Sequence, residues 1–369
     1  MRILITGNLG YVGPCVVRQL RATYPDAYLI GVDAGYFAGC LADPLVVPER
    51  HLDRQHFLDL RDIPARLFNG VDAVVHLAGL SNDPIGNAFR EVTNEVNYEA
   101  SVDIAKKARS AGVRSFVFAS SCSVYGSAEE APRTEESSVN PLTAYARSKV
   151  STELGLRVLA EKTFVVTCLR FATACGMSPR LRLDLVLNDF VAAAVSQGEV
   201  RVLSNGTPWR PLIHVRDMAR AIEWAITRES GADSDYLVVN AGSDAWTFQV
   251  KDLADAVAEC IPGAKIAINR EAPDDKRSYK VDFGLFRRLA LHHQPQELLK
   301  ETIAELRGAL EDIFRTTAAS ANSRFIRLRV LAELLENGYL SADLRWAVPA
   351  SLTEASAGVT ERELAARTN

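Results

Sequence analysis

The chain is 369 residues long and carries 42 basic against 46 acidic side chains, a formal charge of −4. This slightly acidic balance provides no field for a polyanion and argues against a nucleic-acid partner, and no apolar run approaches the ~18 residues that would span a bilayer. The N-terminal segment is too short for a signal peptide and is typical of a strand. Six scattered cysteines without a CxxC pair predict reduced thiols, no metal or disulfide framework, and a soluble cytoplasmic protein.

The first half of the chain alternates short apolar runs with longer amphipathic stretches. The apolar runs predict strands at residues 2–6, 28–32, 73–77, 115–119 and 163–170. The stretches between them predict helices near residues 11–22, 87–111 and 142–160. Strands that alternate with helices of this length indicate βαβ units and a parallel sheet, so the predicted fold class is α/β.

The pattern changes after residue 176. We predict a helix near 185–196, a short strand at 201–203, and helices that begin at Val215 and Val250. Near the C-terminus, residues 325–336 predict a leucine-rich helix with an apolar face formed by Leu328, Leu331 and Leu335. That face must be buried against the chain's own core or a partner subunit, whereas the polar tail 353–369 need not be.

A glycine-rich loop links the first predicted strand to the first predicted helix. Its glycines, Gly7, Gly10 and Gly13, let the backbone turn sharply and approach a pyrophosphate at the positive end of the helix. The second strand ends at Asp33, twenty residues beyond Gly13, where a carboxylate binds the ribose hydroxyls of adenosine. Asp33 would repel a 2′-phosphate and no arginine follows it in residues 34–36, so the predicted cofactor is NAD rather than NADP.

Two further segments fit a nucleotide site on the same sheet. Asp59 and Leu60 follow the predicted third strand, where a side chain and a backbone group can recognise adenine. The alternative, a cap for a helix at 63–68, is better served by Asp62. His76 ends the fourth strand and is predicted to be a core histidine. The residues after it are small enough for the cofactor to lie against the backbone: Leu77, Ala78 and Gly79.

A serine, a tyrosine and a lysine form the candidate catalytic set. Ser121 follows the strand at 115–119, and ligands collect at such strand ends in parallel sheets. Tyr145 and Lys149 are four residues apart, so they share one face of a helix. A Tyr/Lys pair alone often only decorates a helix surface. Here a neighbouring ammonium and a positive nicotinamide would lower the phenol's pKa from about 10 and make it a general base, while a serine hydroxyl would hold the substrate oxygen.

Together these motifs (TGxxGxxG, Asp33, HLAG, SSxSVYG and YxxxK) resemble the extended short-chain dehydrogenase/reductase family, in particular the nucleotide-sugar epimerases and dehydratases typified by UDP-galactose epimerase. The resemblance covers about residues 1–310. It implies a doubly wound parallel Rossmann sheet with a smaller C-terminal α/β substrate domain. We expect an NAD-binding catalytic domain at 1–170, a mainly nucleotide-sugar-binding domain at 171–315 that interleaves partly with the Rossmann sheet, and a helical extension at 316–369.

The resemblance also implies residue roles. Ser121 corresponds to the catalytic serine, Tyr145 to the acid/base, and Lys149 to its partner and nicotinamide-ribose ligand. Tyr11 and Asn97 join the expected cofactor-binding residues. Thr173 stands where asparagine is commoner in the family. The substrate-binding residues that the resemblance implies are Ser81, Asn82, Ser123, Thr173, Arg180, Asn188, Arg210 and Arg277, with Arg182 a further candidate.

The residues after the catalytic serine favour one reaction within the family. Dehydratases carry Asp-Glu at these positions and decarboxylases usually place Glu at the second, whereas this chain has Cys122 and Ser123. We therefore expect a nucleotide-sugar epimerase that oxidises C4 transiently. A nucleotide-sugar ketoreductase or dehydrogenase is the alternative, and a non-catalytic NAD-binding scaffold or sensor is a third, against which the intact catalytic set argues. Family members commonly pair through two long helices, so we expect a homodimer formed through 87–111 and 142–160.

Overall fold

The computed structural model describes residues 1–126, 131–231, 234–272, 278–316 and 323–347. The strands of these residues are β1 (Arg2–Thr6), β2 (Tyr28–Asp33), β3 (Arg54–Phe57), β4 (Ala73–His76), β5 (Ser115–Ser121), β6 (Val165–Phe171), β7 (Thr173–Cys175), β8 (Glu199–Val202), β9 (Trp209–His214), β10 (Tyr236–Ala241), β11 (Thr247–Gln249) and β12 (Lys265–Ile268). The helices are α1 (Gly13–Thr23), α2 (Asp83–Ala88), α3 (Arg90–Asn94), α4 (Ala100–Ser110), α5 (Ala144–Arg157), α6 (Val186–Gln197), α7 (Val215–Ile226), α8 (Val250–Cys260), α9 (Gly284–Leu289), α10 (Leu299–Thr316) and α11 (Arg327–Glu336).

A seven-stranded parallel sheet forms the centre of the described structure, in the order β10-β6-β5-β4-β1-β2-β3. Strands β4 and β6 are mostly apolar and are buried along their whole length because helices cover both faces of the sheet. Helices α1 and α7 contact each other on one face, and α4 and α5 pack on the other. The strand order reverses between β1 and β4, which is where a doubly wound sheet opens a crevice for ligands. The predicted fold class is confirmed.

The long helix predicted at 87–111 is divided into several pieces. The first piece, α2, begins at Asp83, with the Asn82 side chain capping it by accepting from the Ile85 amide. A π-helical turn, Glu95–Glu99, connects α3 to α4 and carries the buried Asn97. π-turns are typical of functional positions in helices, and this one brings the Asn97 amide to the loop after β4.

Residues 63–68 do not form the α-helix that was the alternative reading of Asp59. Pro64 precedes a short 3₁₀ turn, Ala65–Phe68, that has no side-chain cap. Asp59, not Asp62, caps the preceding 3₁₀ turn by accepting from the Arg61 amide.

A smaller unit is built mainly from the second half of the chain. It contains the β11-β9-β7 sheet, the β12-β8 pair and the helices α6, α8 and α10. Helix α10, which the sequence analysis did not predict, packs Leu306 and Leu310 into this core. The chain crosses back to the first unit at α7 and β10, so the two units interleave.

The apolar face predicted near the C-terminus is buried. Leu331 is fully enclosed, and the partly buried Leu328 and Leu335 pack against the same cluster. That cluster includes Leu80 and Ile85, so the face is covered by the chain's own first unit. The tail at 353–369 lies outside the described residues. In the part of the chain that the structure describes, no helix is both long and apolar enough to cross a membrane.

Candidate active site

A cavity of about 930 Å³ opens at the carboxyl ends of the central strands. The glycine loop, the ends of β2, β4 and β5, the start of α5 and the loop before α6 line it. This is the position that a doubly wound sheet provides for ligands, and the volume lies at the large end of the range for ligand pockets.

The glycine loop lies tightly against its surroundings. Gly7 has a φ of +75°, and a Cβ there would lie 2.6 Å from the Ala78 nitrogen. A Cβ on Gly13 would lie 2.4 Å from the Asn8 carbonyl oxygen. Larger residues would push the loop away from β4 and α1, so the glycines keep the backbone available to a pyrophosphate at the start of α1. Gly7, Gly10 and Tyr11 line the cavity.

Asp33 lies at the end of β2 and lines the cavity. Its two carboxylate oxygens accept from the Leu9 amide at 3.0 Å and the Gly35 amide at 2.8 Å, which fixes its orientation. Burial raises its pKa, and these two amides oppose that rise. A carboxylate held in this way suits the hydroxyls of a ribose and disfavours a 2′-phosphate.

The other predicted cofactor residues divide into two groups. Asp59 lines the cavity and forms an ion pair with the Arg61 guanidinium at 2.7 Å. Burial raises the pKa of Asp59, but the contacts with Arg61 outweigh burial and hold this pKa below its usual range. Leu60, Leu77, Ala78 and Gly79 also line the cavity. Asn97 does not.

Asn97 acts instead as a clamp behind the cavity. Its side-chain oxygen accepts from the Leu80 amide at 2.7 Å, and its amide donates to the Leu80 carbonyl at 3.0 Å and to the Ser148 hydroxyl at 3.1 Å. It therefore ties the loop after β4 to the catalytic helix α5.

The predicted catalytic residues lie together in the cavity. Ser121 ends β5, and its hydroxyl is hydrogen-bonded to Tyr145 in the first turn of α5. The Lys149 ammonium lies 5.5 Å from the centre of the Tyr145 ring, one helical turn further along. All three residues line the cavity.

The pKa of Tyr145 differs from the value expected from sequence. Burial raises it to about 12, and the Ser121 hydrogen bond only partly opposes this. Low-polarity surroundings disfavour the phenolate more than the neighbouring protein groups favour it. A positive charge beside the phenol, such as that of an oxidised nicotinamide, is therefore needed for Tyr145 to act as a base near neutral pH.

Lys149 is held by a network that the sequence analysis missed. Its ammonium donates to the Ala119 carbonyl at 2.8 Å, and burial lowers its pKa to about 8, although the Glu153 carboxylate favours the charged form. Glu153 lies one turn beyond Lys149, is 3% exposed, and pairs with Arg170 at 2.6 Å. Its spacing of four residues from Lys149 was the signal that could have identified it.

The predicted substrate residues separate clearly in the structure. Those that line the cavity are Ser81, Asn82, Ser123, Thr173 and Arg210. Arg180 does not, because it is buried in an ion pair with Glu49 at 2.6 Å. Asn188 lies in the junction between the units, where it accepts from the Gly176 amide and donates to the Tyr11 hydroxyl. Arg277 lies outside the described residues.

Arg182 occupies the place expected of Arg180. Its guanidinium binds both oxygens of Asp184, at 2.9 and 2.8 Å, and donates to the Ser81 hydroxyl at 2.9 Å. The Asn82 amide donates to the same carboxylate at 2.7 Å. Asn82 has a φ of +82°, a conformation that is uncommon outside glycine and that concentrates at functional sites.

The two positions after Ser121 have different environments. Cys122 does not line the cavity, since its thiol is fully buried and donates to the Arg170 carbonyl. The hydroxyl of Ser123 is buried at the cavity wall and has no hydrogen-bond partner among the residues that the structure describes. A buried hydroxyl without a partner is available to a ligand. Across the described ranges, no cluster of His, Cys, Asp or Glu could hold a metal ion.

Comparison with known proteins gives the family. Residues 3–242 match the model of the NAD dependent epimerase/dehydratase family, which is more than half of the chain. UDP-glucuronic acid decarboxylase 6 of Arabidopsis thaliana is 27% identical over 312 residues, 82% of this chain and 86% of that protein. The dTDP-glucose 4,6-dehydratase of Streptomyces griseus is 31% identical over 232 residues, 61% of this chain and 70% of that protein.

A solved structure shows the same fold. The UDP-glucose-4-epimerase from Stenotrophomonas maltophila, with bound NAD, superposes with a TM-score of 0.73 at 24% identity and covers 86% of this chain and 100% of its own. The chain belongs to the NAD-dependent epimerase/dehydratase family, and its cofactor is NAD. The tight glycine loop at Gly7 and the oriented Asp33 carboxylate both fit that cofactor.

Proposed function

We propose that the protein is a nucleotide-sugar epimerase that oxidises a sugar hydroxyl, at C4, to a transient keto intermediate. One observation carries this proposal: Ser121, Tyr145 and Lys149 share a cavity with Asp33, while the two positions after Ser121 supply no acid. The Asp-Glu pair that a dehydratase of this family would use is replaced in this chain by Cys122 and Ser123. An epimerase needs only the three polar residues, NAD and room for the sugar to turn.

The chain's own residues would move one proton and hold one oxygen. NAD supplies the chemistry of accepting a hydride from the sugar carbon and returning it. Tyr145 takes the proton of the sugar hydroxyl as the carbonyl forms, and Ser121 donates a hydrogen bond to the same oxygen. After the keto sugar presents its other face, Tyr145 returns the proton to that oxygen. No atom is lost or gained overall, as epimerisation requires.

Lys149 would serve the same step from behind the phenol. Its ammonium, held by the Ala119 carbonyl, keeps a positive charge on the side of Tyr145 that faces the helix. That charge favours the phenolate. The Glu153 carboxylate, held in turn by Arg170, keeps the ammonium charged in spite of its burial.

Groups suited to a nucleotide diphosphate and a sugar line the rest of the cavity. Arg210 is suited to a phosphate oxygen as a planar donor. The unpartnered Ser123 hydroxyl, the Thr173 side chain and the Arg182–Asp184 pair lie on the walls where a sugar would turn. This arrangement supports the nucleotide sugar as substrate.

Incubation of the protein with NAD and candidate sugar nucleotides tests the reaction. UDP-glucose, UDP-glucuronic acid, UDP-N-acetylglucosamine and dTDP-glucose are the compounds to use, with proton NMR and NADH absorbance as readouts. We expect one of them to convert to its C4 epimer up to an equilibrium ratio, with no net NADH. Stoichiometric NADH would instead indicate a nucleotide-sugar dehydrogenase, and loss of water or carbon dioxide would contradict the proposal. Tyr145→Phe is the matched inactive control.

We also propose that two copies pair through α5 and its neighbour α4. Two large apolar side chains on this surface are exposed, Leu154 at 59% and Val158 at 79%, and they stand four residues apart on one face. Such a stripe is suited to a helix from a second copy. Light scattering should give a dimer mass for the natural chain and a monomer for Leu154→Glu. A monomeric natural chain would contradict this assignment.

A further inference from the structure

The segment at residues 323–347, called here the C-terminal strap, lies beyond the residues that match the family model. It crosses the adenosine side of the cavity. The Trp346 indole donates at 2.6 Å to the carbonyl of Ala34, the residue that follows Asp33. The Tyr36 hydroxyl donates to the Leu344 carbonyl. Arg61, which holds Asp59, donates to the strap at the Asp343 carbonyl, at 3.0 Å. The strap is therefore joined to the residues that surround the cofactor's adenosine.

Arg327, the first residue of α11, is carried by this strap into the cavity wall. The residue is only 1% exposed, and it lines the cavity beside Ile326 and Leu328. Its guanidinium donates to the Arg180 carbonyl at 3.0 Å and lies 4.8 Å from the centre of the Phe37 ring. Backbone carbonyls and an aromatic face hold the side chain without neutralising it.

No carboxylate in the described residues is within ion-pair distance of Arg327. The nearby acids are paired with the two neighbouring arginines, Arg180 with Glu49 and Arg182 with Asp184, so Asp184 attracts Arg327 only from beyond ion-pair distance. Burial lowers the pKa of Arg327 to about 10, so the guanidinium is still charged at neutral pH. A buried charge without a directly paired counter-charge destabilises a fold unless a ligand of the opposite sign compensates for it.

The chemistry of the side chain points to the ligand class. A guanidinium offers a planar fork of donors that matches two oxygens of a phosphate, and it binds such oxygens more strongly in a site that excludes water. Both ligands that the proposed function requires, NAD and a nucleotide sugar, carry a diphosphate. We propose that Arg327 is a diphosphate ligand supplied to the cavity by the C-terminal strap. This inference rests on the nucleotide binding of the proposed function.

Titration calorimetry on the full chain tests the inference with Arg327→Met, Arg327→Lys and the matched control Arg329→Met. Arg329 lies on the same helix but is exposed. The probes are NAD and UDP, which carry a diphosphate, and adenosine and uridine, which carry no phosphate. We expect the dissociation constant of Arg327→Met for one of the two diphosphates to rise about tenfold or more, with a smaller rise for Arg327→Lys. Nucleoside binding and Arg329→Met should match the natural chain.

The two diphosphates distinguish the source of the phosphate. Weaker binding of NAD alone assigns Arg327 to the cofactor, and weaker binding of UDP alone assigns it to the substrate. Unchanged constants for both, in a chain that binds them, overturn the inference and leave the proposed function intact. A natural chain that binds neither NAD nor UDP overturns both.

Thermal unfolding without nucleotide separates a ligand from a structural support. Removing a buried charge that has no direct ion pair should leave the melting temperature of Arg327→Met unchanged or higher. A lower melting temperature together with weaker adenosine binding would mean that Arg327 only fastens the strap, and this too would overturn the inference.

Discussion

The buried ammonium of Lys149 provides a quantitative test of the site's electrostatics. Lys149 is 5% exposed, and its ammonium is enclosed by the Ala119 carbonyl and the Phe118 ring, whose centre is 4.6 Å away. Its pKa falls from the ordinary value of 10.5 to about 8 because burial disfavours the charge. We predict that Lys149→Met removes a pH-dependent destabilisation from the folded protein.

The size of the effect follows from the two pKa values. Below pH 8 the lysine is charged in both the folded and the unfolded chain, and burial of the charge destabilises the fold by about 3 kcal/mol. Between pH 8 and pH 10.5 the unfolded chain still binds the proton and the folded chain releases it, so stability rises with pH. The natural chain should therefore gain about 2 kcal/mol relative to Lys149→Met between about pH 7 and pH 9.5.

Urea denaturation of the nucleotide-free proteins at those two pH values measures this difference. Other titrating groups are common to both proteins, so they cancel in the comparison. The lost hydrogen bond to Ala119 shifts both values by the same amount and also cancels. Lys162→Met, at an exposed position, is the matched control and should follow the natural chain. A difference between Lys149→Met and the natural chain that is the same at both pH values would refute the reasoning.

Three further outcomes are expected. Tyr145→Phe removes only the phenolic oxygen, so turnover should fall at least ~100-fold with NAD affinity unchanged. Near-normal turnover of this variant in a kinetic assay would show that Ser121, Tyr145 and Lys149 do not form a catalytic set. The natural chain should bind NAD more tightly than NADP in parallel titrations. Asp33→Ala should reduce the ratio of the two affinities because it removes the charge that repels a 2′-phosphate. Equal affinities of the natural chain for NAD and NADP would contradict the role of Asp33. Truncation after residue 349 should be tolerated. Truncation after residue 318 exposes the apolar surface at Leu80 and Ile85, so it should lower solubility or alter the oligomer size in light scattering. An unchanged and fully active 1–318 protein would show that the strap is dispensable.

The predicted site residues that the structure brings together in the cavity are placed there by short-range geometry. The glycine loop and Asp33 are positioned by the alternation of strands and helices, which follows from local apolar periodicity. Tyr145 and Lys149 share a helix face because they are four residues apart. Helices α7 and α8 begin at Val215 and Val250 as predicted, since each follows a strand that ends in a residue able to cap the helix.

Local sequence could not show that Arg182 lines the cavity and Arg180 does not. The two arginines are separated by one residue, and both were candidates for the substrate pocket. Which of them faces the cavity depends on Glu49, more than a hundred residues away, which neutralises Arg180 outside it. Asn97 and Asn188 do not line the cavity, and they bond to Leu80 and Tyr11, which lie 17 and 177 residues away.

The pKa of Tyr145 and the place of the C-terminal strap were decided by tertiary structure alone. Spacing predicts an ammonium near the phenol, but only the packed cavity shows that burial raises the pKa of Tyr145. The sequence by itself determined that the leucine face near the C-terminus had to be buried, since apolar surface of that size is unfavourable in water. Its site of burial, and the entry of Arg327 into the cavity, depended on contacts such as the one between Tyr36 and Leu344. Periodicity is encoded within one element, whereas the surface that an element covers depends on residues hundreds of positions away.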